Sequence, residues 1–118
     1  MRHNPRMCLL DMLNSCCYAM EFASRRASAE LDSDRVFRSA VERELMIVGE
    51  ALSVLTRLAP GIAERITVYK RIIRYRNVLV HGYDIVDNTI TWDIIQNWLP
   101  VLKAELEALL SEGGDKAC

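Results

Sequence analysis

The chain has 118 residues, the length of one domain, and its hydrophobic fraction of 51% and charged fraction of 26% are those of a folded globular protein, not a disordered tail. A net charge of −1 argues against general adhesion to polyanions, and no stretch approaches the roughly 20 apolar residues of a membrane span. Three Pro and five Gly leave few chain breaks, so a few long helices are expected, with a core small enough that a second copy would cover apolar surface.

Taken in chain order, Asn4 before Pro5 reads as an N-cap with proline at the first helical position. The first helix is expected to run to about Ala27, with Leu9, Leu13, Cys16, Met20, Ala23 and Ala27 on one stripe. Asp32, Ser33 and Asp34 offer caps for a second helix, whose apolar positions Phe37, Val41, Leu45, Val48, Leu52 and Leu55 give the clearest 3.6-residue period present. Pro60-Gly61 closes it. After a short turn at 62–66, a third helix is expected from about Val68 to His81, with Gly82 ending it in the left-handed region. Asp87 or Asn88 then caps a fourth helix carrying Ile90, Ile94, Ile95, Trp98, Leu102 and Leu106, kinked or broken at Pro100. The expected layout is a helical domain over residues 1–110 and a flexible tail over 111–118, the fold class all-α, an antiparallel bundle of four main helices.

Asp11, Asn14 and Ser15 interrupt the first twenty residues, so no signal-peptide core is read there and a cytoplasmic location is expected. Cys8, Cys16, Cys17 and Cys118 match no zinc-binding spacing and read as small packing residues; no metal and no cofactor is expected.

The functional signal lies in Arg76-Asn77-Val78-Leu79-Val80-His81-Gly82-Tyr83. A permanent cation, an imidazole and a phenol fall within two helical turns, in a stretch where Arg65, Lys70, Arg71, Arg74 and Arg76 occur with no acid between Arg65 and Val80. These are the groups needed to hold a phosphodiester and to move a proton on it. Projected at about 100° per residue, Tyr69, Ile72, Ile73, Leu79, Val80 and Tyr83 lie around Arg76, while Lys70, Arg71, Arg74, Asn77 and His81 lie opposite. An arginine amid apolar residues needs a partner, and Glu50 in the second helix is the candidate. The plainer readings are an ion pair at Arg76, a helix-end imidazole facing the dipole at His81, a core-edge phenol at Tyr83 and a solvated face for the other cations. Arg76 and His81 lie about 140° apart on an ideal helix, so their convergence needs a distorted last turn, the long reach of arginine or a second copy across a two-fold axis, and the last two together are expected.

Arg76-x4-His81-x-Tyr83 resembles the R-x4-H-x-Y signature of HepT-like toxins of the HEPN superfamily. Gly49-Glu50-Ala51 and the Trp92…Leu99-Pro100 segment extend the likeness to nearly the whole chain. The resemblance implies a helical homodimer acting as a metal-independent RNase toxin, held in check by a minimal, MntA-like nucleotidyltransferase antitoxin. It implies Arg76 and His81 as the catalytic pair, Asn77 as catalytic support, and Tyr83 as the position receiving AMP from ATP. Lys70, Arg71 and Arg74 would follow the RNA backbone. Two other readings stay open: a non-catalytic HEPN-like module that binds a nucleotidyltransferase or nucleotide, and a structural bundle in which Arg76 pairs with Glu50 and Arg76→Met is tolerated.

Overall fold

The computed structural model describes residues 4–82 and 86–112. All regular structure among these residues is helical. The elements are α1 (Pro5–Ala23), a single turn α2 (Glu30–Ser33), α3 (Arg35–Leu58), a second turn α4 (Pro60–Ala63), α5 (Tyr69–His81), α6 (Asn88–Asp93), a π-helical segment (Ile94–Trp98) and α7 (Leu99–Glu112).

The starts of these helices follow from their capping residues. Asn4 accepts from the Met7 N–H at 2.9 Å and Asp34 from the Phe37 N–H at 3.0 Å, each meeting a donor that a helix start leaves unpaired. Asp87 accepts from the Thr89 N–H at 2.8 Å and opens α6. The end of α1 comes earlier than its apolar stripe suggested. Arg25 adopts a φ of 65°, which stops the helix at Ala23 and leaves Ala27 in the exposed connection to α3. Arg26 ties that connection down, pairing with Glu30 and Asp34 and lying 4.6 Å over the Phe37 ring.

A further ending also differs from expectation. Gly82 closes α5 with a φ of −135°, outside the left-handed region, its N–H bonding the Val78 carbonyl at 2.8 Å. Pro100 does not break the last helix. A π turn precedes it, in which the Leu99 N–H bonds the Ile94 carbonyl five residues back. The wider turn adjusts the backbone where proline has no N–H and its ring crowds the carbonyl four residues earlier. The last helix runs on through Ser111 and Glu112, two residues past the expected boundary.

One core joins α1, α3, α5 and the last helix. The α3 stripe is buried at all six expected positions. α1 packs chiefly on α3 and also meets α7, while α5 packs on α3. Cys8 and Cys16 are free thiols inside this core. Burial pushes the Cys16 thiol up to about 12, so it stays neutral and donates to the Leu99 carbonyl at 3.4 Å. At the other end of α5, Thr67 donates its N–H and hydroxyl to Glu105, and Arg65 makes a two-pronged ion pair with Glu112. This clasp fixes where α5 begins.

Candidate active site

The register of α5 is set by Ile72, Tyr75 and Leu79, which are buried together with Val68 just before the helix. Arg76 therefore stands at the flank of the buried arc, not at its centre as the apolar pattern suggested. Its side chain keeps 21% of its surface exposed. Tyr75 is what turns the helix. Its ring is buried because its hydroxyl shares a 2.5 Å hydrogen bond with Thr91 of α6, which satisfies both groups away from water. Burial pushes the Tyr75 phenol far above the ordinary tyrosine range, so it is a structural hydroxyl at any physiological pH.

On the α3 side, Gly49 faces Arg76. A Cβ built on Gly49 would lie 2.3 Å from Arg76 Cβ and 2.6 Å from its Cγ. The absent side chain lets α5 approach α3 closely enough for the arginine stem to rest on bare backbone. Glycine inside a helix otherwise costs about 1 kcal/mol relative to alanine, so its presence in the middle of α3 was a readable sign of such an approach. The charged end of Arg76 is held by the next residue of α3. Its Nε–H donates to Glu50 Oε1 at 3.1 Å, its Nη2 to the same oxygen at 2.5 Å, and its Nη1 to Asn77 Oδ1 at 2.7 Å. Against the described residues these contacts use three of the five guanidinium N–H groups, leaving two for an anionic ligand.

His81 is the last residue of α5 and is exposed. It lies one turn beyond Asn77, so the two share a face, and Asn77 draws the Arg76 guanidinium toward it. By position on α5, Arg76 and His81 leave the helix axis about 140° apart. Tyr83 lies outside the described residues. Among the described residues, no group of three or more His, Cys, Asp and Glu side chains is placed to hold a metal ion.

The basic stretch divides into structural and available cations. Arg65 belongs to the clasp with Glu112. Arg71 pairs with Asp93 at 3.2 Å and lies 4.7 Å over the Trp98 ring, bracing α5 against the last helix. Lys70 and Arg74 are exposed and, with Arg71, border a groove of about 600 Å³ between α5 and α6. Its walls also include Thr67, Tyr75, Val78, Ile90, Ile94 and the carboxylate of Asp87.

A helical protein with arginine, asparagine and an exposed histidine along one helix, beside a cation-bordered groove, defines the class to which comparison assigns it. The chain belongs to the HepT-like family: the model described as "Ribonuclease HepT-like" matches residues 12–109. Among curated proteins, it is 30% identical to "Putative RNase MJ1380" of Methanocaldococcus jannaschii, over 84% of this chain and 90% of that protein. It is 28% identical to "Putative RNase MJ0127" of the same organism, over 98% and 96% of the two chains. It is 27% identical to "Putative RNase TTE0752" of Caldanaerobacter subterraneus, over 92% and 96%. No solved structure matches it.

Proposed function

We propose that this protein is a metal-independent RNase toxin, cleaving RNA at a cleft between two copies of the chain. The observation that carries the reading is the guanidinium of Arg76. It is fixed by Glu50 and Asn77, part exposed, and keeps two N–H groups unspent against the described residues. Cleavage without metal begins when a ribose 2′-oxygen attacks the adjacent phosphorus. The 2′-proton passes to a base, the bond to the 5′-oxygen breaks, and an acid returns a proton to that oxygen. In this reading His81 exchanges the proton and Arg76 bonds the phosphate as charge accumulates on it. Asn77 holds the guanidinium toward His81. The pair meets across a two-fold axis, since the two residues leave an ideal helix about 140° apart and a second copy repeats each of them around that axis.

Regulation is read from the tyrosine of the same sequence motif. A minimal nucleotidyltransferase antitoxin transfers AMP from ATP to the Tyr83 hydroxyl, with pyrophosphate leaving. The added phosphate places negative charge two residues from His81, where the substrate phosphate must sit. The site would then be closed by bulk and by like charge.

The ion pair itself favours a second reading, in which Arg76 and Glu50 serve only stability. That role is weak here. Glu50 keeps 51% of its side chain exposed, and such pairs contribute about 0–1 kcal/mol. Purified protein incubated with tRNA, with and without chelator, separates the alternatives. The RNase reading expects cleavage that chelator does not suppress and that His81→Ala abolishes while remaining folded. Tight RNA binding without products would instead establish a non-catalytic module. For the switch, incubation with the nucleotidyltransferase and ATP should add AMP to Tyr83 by mass spectrometry. Modification confined to other residues defeats that part.

A further inference from the structure

We infer that the groove between α5 and α6 is a subsite for one nucleotide flanking the scissile linkage, taking its phosphate on Lys70 and Arg74 and its base on Val78 and Ile90. The choice of RNA as occupant rests on the RNase reading above; the site itself rests on the groove.

Three observations assign it. First, the space is built. α5 and α6 are joined by the Tyr75–Thr91 hydrogen bond and the Arg71–Asp93 pair, and the groove of about 600 Å³ opens beside these struts. Second, its border and floor differ in kind. Lys70 and Arg74 are exposed and make no ion pair to a described residue, whereas the charge of Arg71 is answered by Asp93. Between them the lining is mainly apolar, with Val78, Ile90 and Ile94, and Ile90 is 45% exposed; Asp87, the cap of α6, adds a carboxylate to that lining. An anionic group joined to a flat apolar body matches that pairing of surfaces, as a nucleotide does. Third, the two groove cations left without an ion pair to a described residue share a face of α5 with Asn77 and His81. Lys70, Arg74, Asn77 and His81 recur at i, i+4, i+7 and i+11, within an arc of about 60°. A strand whose phosphate lies on Arg74 can thus run along one helix face to His81.

The test uses a short single-stranded RNA carrying 2′-O-methyl groups throughout, which cannot undergo attack by its own 2′-oxygen, and fluorescence anisotropy across a salt series. Arg74→Ala should weaken binding and reduce the slope of log affinity against log salt by about 0.7, the loss of one phosphate contact. Ile90→Ser, at an exposed position that folding tolerates, should weaken binding roughly five-fold with the slope unchanged. Arg35→Ala, removing an exposed cation that does not line the groove, should leave both intact. Wild-type protein that fails to bind overturns the proposal. So do Arg74→Ala and Ile90→Ser proteins that bind like wild type, or an Arg35→Ala effect equal to that of Arg74→Ala. Cleavage of tRNA by the wild type is scored separately. Cleavage with binding indifferent to Arg74 and Ile90 rejects the groove and keeps the RNase reading. Groove-dependent binding without cleavage does the reverse.

Discussion

At Arg76, the carbon stem and the charged end answer to different neighbours, and substitutions can address them one at a time. The stem rests on Gly49. Gly49→Ala forces α5 away from α3 or distorts the arginine, an overpacking change expected to cost about 1–3 kcal/mol in urea denaturation and to lower cleavage. An alanine variant as stable and active as the wild type would show that the helices yield freely there. The charged end depends on Glu50. Glu50→Ala should leave stability within about 1 kcal/mol, since the pair is half exposed, yet lower kcat more than it changes KM. Glu50→Gln, which keeps an acceptor oxygen, should restore most of the loss. Equal activity in all three proteins would mean Glu50 does not position Arg76.

The last helix depends on Asp93, which accepts from Asn97 at 2.6 Å and from Trp98 Nε1 at 2.9 Å and pairs with Arg71. The hydrogen bonds from Asn97 and Trp98, then the Arg71 charge, hold its carboxyl below the ordinary aspartate value of 3.8. A depressed folded pKa means that the unfolded chain takes up the proton first. The stabilisation is therefore complete above the ordinary value and disappears as pH falls through the folded one. Asp93→Asn should show a lower Tm than wild type at about pH 6, with the gap narrowing toward about pH 3. A gap independent of pH would place the effect elsewhere. At this scale the sequence was most legible where a single residue type sets an outcome: Asn4, Asp34 and Asp87 as caps, and the six-residue apolar stripe of α3. It was least legible where tertiary contacts decide. No Gly or Asn signals the left-handed Arg25 that ends α1. Nothing near Pro100 distinguishes a π turn from a break. The rotation of α5 depends on Thr91 receiving the Tyr75 hydroxyl from another helix, so Arg76 looked central when it is lateral. Among the site residues, the cations were legible as a stripe, but their division into those ion-paired to a described carboxylate and those that are not needed Asp93, Trp98 and Glu112 in place.

For the whole molecule, the decisive question is whether one copy completes the site of another. Arg76→Ala and His81→Ala proteins should each be inactive alone. Co-refolded together, they should regain up to about a quarter of wild-type cleavage if each site takes its arginine and histidine from different copies, because half the random dimers then hold one intact site in two. No recovery would place both groups of each site in a single chain. A further use of the architecture follows from Arg71, whose guanidinium lies on the Trp98 indole while bordering the groove. The chain has two tryptophans, so Trp92→Phe leaves Trp98 as the one indole that emits. A phosphate seated on Lys70 and Arg74 adds negative charge beside the cation that rests on this ring. The molecule thus carries an optical gauge of its own filling, readable without any attached dye.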